Sequence, residues 1–200
     1  MGAMTLHKEP LAAAAVVIAI AMYVPYIRSI RAGRTKPHAV SWVTWTLVAF
    51  VICVAQLADG GGVGAWPTAV SGLVTAYIAV LAYRYRTATA INRLDWAFLA
   101  LAVAALPGWW LTSDPLIAVA LLTGVELAGF GPTFRSAFGH PQNERIRFFV
   151  LGALRNTLAV VALEHYTLTT VLFPAAKAVV SVVLVVMIAL RRSRLSLEGA

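Results

Sequence analysis

Seven stretches of mainly apolar residues divide the chain, at roughly 10–30, 39–58, 66–84, 94–112, 114–135, 146–164 and 167–190. Each comes close to the about 20 residues that an α-helix needs to cross the hydrocarbon core of a bilayer. The breaks carry turn chemistry and charge, notably Arg31 to Pro37, Asp59 to Gly64, Arg84 to Arg93 and Gly139 to Glu144. Between the fourth and fifth stretches only Thr112 to Asp114 intervene, so these two helices are expected to be antiparallel neighbours. The pattern predicts an all-α integral membrane protein with seven transmembrane helices.

Sliding the chain on itself by 107 positions, the step from Pro25 to Pro132, aligns the first three helices with the last three without a gap. Arg28 then falls on Arg135, Ser29 on Ser136, Pro67 on Pro174 and Arg84 on Arg191. Two proline pairs and two arginine pairs in fixed order carry more weight than the alanine and valine matches. The expected organisation is a first three-helix unit at 1–87, a linker helix at 88–113, and a second unit with a basic tail at 114–200. An odd linker helix restores the orientation of the second triplet, so the repeats are parallel and related by an axis along the membrane normal. Pro25, Pro67, Pro132 and Pro174 are candidate hinges, because a proline inside a helix removes a backbone donor and disturbs the preceding turn. A static kink needed for packing is the alternative.

Charge orients the bundle. Lysine and arginine collect on cytoplasmic connections, and here they mark every second one. Arg28, Arg31, Arg34 and Lys36 mark the first; Arg84, Arg86 and Arg93 the third; Arg135, Arg145 and Arg147 the fifth; Arg191, Arg192 and Arg194 the C-terminus. The intervening connections hold Asp59, Asp114 and Glu164 with no lysine or arginine. This predicts a multi-pass protein of the cell membrane with its N-terminus outside and its C-terminus in the cytoplasm. Lys8 alone is on the wrong side, beside Glu9. Trp66, Trp96, Trp109 and Trp110 lie near predicted helix ends, as interfacial anchors do.

Composition agrees, with 60% hydrophobic and 12% charged residues, where soluble domains sit nearer 45–50% and about 25%. The net charge of +8 is spread over short clusters, which argues against nucleic acid. Cys53 is the only cysteine, so no internal disulfide can form. His7, His38, His140 and His165 are scattered without metal-ligand spacing. No cofactor or metal is expected, and the partners are the bilayer and a small-molecule substrate, with homo-oligomer formation left open.

At Tyr23-Val24-Pro25-Tyr26, Thr35-Lys36-Pro37-His38, Ser41-Trp42 and Gly131-Pro132-Thr133 the chain resembles the PQ-loop superfamily, which includes the SWEET sugar transporters and bacterial vitamin-precursor carriers. The resemblance covers nearly the whole chain through the 3+1+3 layout and the outside N-terminus. It implies transport of a small polar metabolite (a sugar, vitamin precursor or organic anion) by alternating access. Tyr26 and Thr133 stand where the family has glutamine. Thr68 and Ala175 follow Pro67 and Pro174, in the region where sugar carriers place asparagine, which weakens the case for a sugar.

Three ionisable residues lie away from the connections: Glu126, Arg155 and Lys177. At about 1.5 Å per residue each is roughly 14–18 Å deep, near the midplane of a core about 30 Å thick. A lone charge there costs about 2.5–3.5 kcal/mol or more, so the three are expected to face the interior and compensate one another. Their repeat equivalents are Ala19, Val48 and Val70. The cluster therefore belongs to the second unit and carries a formal +1, which suits an anionic substrate or a protonation-coupled Glu126. The alternative is an ion-pair network that only locks helices together. Asn156 is a candidate amide donor to ligand. Trp42 and Trp45, three apart and so on one helix face, are candidates to stack on a planar ligand or to pack. Ser71, Thr75 and Ser181 are expected to bond their own helix or a neighbour.

Other classes fit less well. A receptor or structural membrane protein of the same fold remains the main alternative to a carrier. A retinal-type photoreceptor would suit Lys177 midway along the last helix, but Phe173 stands one turn earlier in place of a carboxylate. No nucleophile, base and orienting group converge at one depth, so no enzymatic activity is expected.

Overall fold

The computed structural model describes residues 8–85 and 93–198. His7, Arg86 and the expected boundary at 87/88 lie outside them. Among the described residues the chain is all-helical: α1 (Lys8–Arg31), α2 (Ala39–Ala58), α3 (Trp66–Arg84), α4 (Arg93–Thr112), α5 (Pro115–Gly129), α6 (Gly131–Gly139), α7 (Ile146–Val161) and α8 (Leu168–Glu198). Single 3-10 turns cover Gly62–Ala65 and Pro141–Asn143.

Six helical segments are long and apolar enough to cross a membrane: α1, α2, α3 with its preceding turn, α4, α5 with α6, and α8. The expected seventh, α7, has 16 residues, about 24 Å at the rise of an α-helix, and carries Arg147 and Arg155. The fifth stretch is also not one rod. It breaks at Phe130, just before Pro132 in the first turn of α6.

Helix ends follow local chemistry. His38 caps α2 by accepting the Ser41 N–H at Nδ1 (3.4 Å), and Asp114 caps α5 by accepting that of Leu116 (2.8 Å). Ser113, between α4 and α5, takes the left-handed conformation with φ 55°, which closes that turn within two residues.

The four prolines are not four equivalent kinks. Pro25 and Pro174 lie inside helices, whereas Pro67 and Pro132 occupy first turns, where no N–H is missed. Each repeat pair thus joins one interior proline to one N-terminal proline. At Pro174 the carbonyl left without its helical donor is that of Thr170, four residues earlier. The buried Gln56 side chain of α2 fills the gap, donating from Nε2 to Thr170 O at 2.9 Å. We expect Gln56→Leu to cost about 1 kcal/mol in a denaturant titration of the micelle-solubilised protein. In a Pro174→Ala background, where residue 174 again supplies an N–H, the same change should cost almost nothing. An equal cost in both backgrounds would refute this role.

Packing runs in a closed circuit. α3 lies against α1 and α2, and α8 against α5, α6 and α7; α1 meets α7, α2 meets α5, and α4 flanks α2 and α5. Polarity is distributed inside out. Gln56, Thr170, Arg155, Asn156, Thr68 and Thr75 are buried, while mid-helix Val17, Leu73 and Val179 are each more than 60% exposed (64%, 61% and 63%). Apolar surface on so many mid-helix positions is stable against hydrocarbon rather than water. Several long apolar helices with this exterior fit a multi-pass membrane protein. Trp66, Trp96 and Trp110 are exposed near helix ends, and Trp109 packs against the cluster of α2, α4 and α5.

Candidate functional site

A cavity of about 290 Å³ lies between α1–α3 and α5–α8, the parts of the chain expected to form the first and second triplets. From the first triplet come Tyr23 of α1, Trp42, Trp45, Val48 and Ala49 of α2, and Thr68, Ser71 and Thr75 of α3. From the second come Glu126 and Gly129 of α5, Thr133 of α6, Phe149 and Arg155 of α7, and Phe173 and Lys177 of α8. Phe130, at the break between α5 and α6, also lines it. At one end the cavity reaches Glu144 and Phe148, where the connection from α6 enters α7.

Toward the opposite end, the connections 59–65 and 162–167 are hydrogen-bonded to each other and do not line the cavity. The Glu164 N–H donates to Gly61 O at 3.2 Å, and the Val63 N–H donates to Glu164 Oε1 at 3.3 Å. Thr167 Oγ1 bonds Asp59, and Lys8 Nζ reaches Leu163 O. Glycines permit this contact. A Cβ on Gly64 would stand 2.6 Å from Leu163 Cα and N, and Gly62 has φ +56°, a conformation open to glycine at little cost.

The three charges, of which Glu126 and Arg155 are buried and Lys177 half-buried, are not joined by one set of hydrogen bonds. Lys177 Nζ pairs with Glu126 Oε1 and sits over the rings of Phe173 (5.4 Å) and Phe130 (5.9 Å), a favourable place for a cation. This pair ties α8 to α5. Arg155 instead crosses to the first triplet: Nη2 donates to Pro67 O and Ser71 Oγ, both at 2.7 Å. Its Nη1 donates to Asn156 Oδ1 at 3.2 Å. The Nε of Arg155 is buried and has no hydrogen-bond partner among the described residues. Glu126 is thus bonded directly to Lys177, while Arg155 is hydrogen-bonded to neutral oxygens and feels the Glu126 carboxylate only through space.

Asn156 lies beside the cavity lining rather than in it. Its amide nitrogen donates to Gly152 O (2.7 Å) and its oxygen takes Arg155. Trp42 both packs and lines: it is 8% exposed, within 5.2 Å of Tyr26 and 4.9 Å of Trp45, ring centre to ring centre. The two indoles meet edge to face at 86°, so they do not form a parallel pair of plates. Ser71 and Ser181 donate to carbonyls of their own helices, Pro67 O and Lys177 O, and Thr75 to Gly72 O. Ser71 accepts Arg155 as well.

Sequence reasoning passed over Tyr23, Thr68 and Thr133 as lining groups, and Gln56 as a cap. Gln56 had a visible signal, being the single glutamine within a predicted span. A search for a matching family model, a related curated protein or a similar solved structure returned no match. The class is therefore defined by the helices and the cavity alone: an all-helical chain of the multi-pass membrane type with a charged, aromatic-walled central cavity.

Proposed function

We propose that this chain is a carrier of the PQ-loop and SWEET type, moving a small polar metabolite across the membrane by alternating access. The observation that carries the reading is the cavity, lined by both triplets and by ionisable groups, reaching Glu144 and Phe148 at one end, with the connections 59–65 and 162–167 bonded together toward the other. That is the arrangement of a site exposed to one face at a time.

The 107-residue repeat has support in the packing. The buried cluster of Ile30, Trp42 and Leu81 in the first triplet has its offset equivalents Ala137, Phe149 and Ile188 together in the second. The circuit of helix contacts repeats likewise: α1 on α7 corresponds to α5 on α2, and α3 central to its triplet corresponds to α8. Tyr23 and Trp42 and their equivalents Phe130 and Phe149 all line the cavity. In this reading α7 makes the seventh crossing, covered by α1 and α8, and α4 is the linker. The connections 59–65 and 162–167, free of lysine and arginine, form the outer closure. The basic end near Glu144 is cytoplasmic.

The test is uptake into proteoliposomes, with counterflow to separate carrying from binding. Saturable exchange of a radiolabelled metabolite, lost on cross-linking the connections 59–65 and 162–167 together, is the expected result. No flux across sugars, vitamins, nucleosides and organic acids, with an outer closure that never opens, would replace this reading by a ligand-binding or structural membrane protein.

A further inference from the structure

We infer that the cavity takes a monovalent anion carried on a flat ring system, an aromatic carboxylate of one or two fused rings, with Arg155 as its charge partner. This deepens the proposed function and rests on its reading of the cavity as a substrate site.

The charge balance of the cavity selects the sign and number. Lys177 and Glu126 neutralise each other directly. Arg155 faces three neutral oxygens, those of Pro67, Ser71 and Asn156, and no carboxylate is hydrogen-bonded to it. Its charge is thus buried with partial hydrogen bonding, and the one carboxylate that acts on it through space, Glu126, is already paired with Lys177. A buried cation of this kind is unfavourable until an anion arrives. Arg155 lines the cavity with one donor, Nε, unpartnered and buried, and a guanidinium that turns toward a bound carboxylate can offer it forked hydrogen bonds. Glu144 does not supply the missing charge. It is at the mouth, followed by Arg145, and its carbonyl accepts Arg192 Nη2 at 2.7 Å, so that end carries basic groups too. One anionic charge is wanted inside, not two.

Shape and wall chemistry select the rest. Tyr23 and Trp42 from one triplet and Phe149 from the other give the cavity aromatic walls, which favour offset stacking and edge contacts with a flat ring. The ring faces of Phe130 and Phe173 are already turned to the Lys177 ammonium. A volume of about 290 Å³ sits at the lower limit of small-molecule sites, about 300 Å³. One or two fused rings suit it better than a disaccharide or a nucleotide. A sugar would bring many hydroxyls to a mostly apolar wall, where Ser71 and Thr75 already donate to backbone carbonyls and the other lining hydroxyls are those of Tyr23, Thr68 and Thr133.

The experiment is equilibrium binding to the full chain in micelles, followed by calorimetry, with benzoate, indole-3-carboxylate, the primary amide of each, phthalate, acetate and glucose. The two aromatic acids are expected to bind saturably and about tenfold or more tighter than their amides, with phthalate and acetate weaker and glucose undetected. Arg155→Gln should remove the preference for acid over amide, and Arg155→Lys should keep part of it. Acid and amide binding equally well to the unmodified protein would overturn the inference even if neither variant folds. So would tighter binding of glucose, or no saturable binding of either acid. Binding of the acids without flux in proteoliposomes would sink the carrier reading and leave the ligand class standing. Flux of neutral solutes alone would do the reverse.

Discussion

Lys177→Met is expected to lower the unfolding free energy of the micelle-solubilised protein by about 3–5 kcal/mol, the cost of breaking a buried ion pair from one side. The substitution leaves Glu126, whose side chain is 11% exposed, without its hydrogen-bonded counter-ion. Glu126→Gln should cost less. Its amide oxygen still accepts from the ammonium, and the two ring faces that hold Lys177 continue to favour a cation there. The double variant Glu126→Gln, Lys177→Met should recover most of the loss, because replacing both members of a buried pair is often close to neutral. Denaturant titration of the four proteins closes the cycle. If the double variant is as unstable as the sum of the singles, the two groups do not stabilise each other and the ion pair has no energetic role.

This cycle also bears on whether the buried charges serve a ligand or lock the bundle. The geometry divides the roles between different residues. The pair of Lys177 with Glu126 joins α8 to α5 within one triplet, and stability is the property it should govern. Arg155 joins the two triplets through Pro67 and Ser71 and keeps an unsatisfied donor, and ligand response is the property it should govern. Loss of stability confined to Lys177 variants, with loss of acid preference confined to Arg155 variants, would separate the two functions cleanly.

Most of the helices were legible in the sequence because an apolar run is a matter of one dimension. An apolar run of about twenty residues and a residue count from its end need no partner. What could not be read was which charge meets which. Glu126, Arg155 and Lys177 are expected at a similar depth, and depth alone leaves two ion pairs open, Glu126 with Arg155 or Glu126 with Lys177. The choice was made by rotation about helix axes, which sends Arg155 toward α3. Asn156 illustrates the same limit. Adjacent to Arg155 in sequence, it turns its amide into α7 itself, to Gly152 O. The break at Phe130 was missed for a different reason. Pro132 was visible, but a proline marks either a kink or a new first turn, and only tertiary packing decides between them. The aromatic wall escaped because Tyr23, Phe149 and Phe173 are ordinary in any apolar run. Their convergence depends on contacts between triplets.

Gly64→Val should open the closed end. The two connections meet backbone to backbone here: any Cβ at residue 64 would lie 2.6 Å from Leu163 Cα and N, closer than real side chains come, and neither atom can swing away as a side-chain tip can. Overpacking of this kind costs about 1–3 kcal/mol. That cost falls on the closed arrangement alone, so the ratio of closed to open molecules should fall about 5- to 150-fold. A cysteine at Thr68, a buried cavity residue on α3, reports the change in a Cys53→Ala background. A membrane-impermeant maleimide applied from the side of the 59–65 connection should modify it slowly in the parent and much faster in the Gly64→Val protein. Gly62→Ala should act in the same direction but more weakly, because its new methyl meets the movable carboxylate of Glu164, although the positive φ adds strain. Both variants should retain the parent's helical content by circular dichroism, since neither residue lies within the eight α-helices. Folded Gly64→Val protein labelled no faster than its parent would mean that these connections do not gate the cavity.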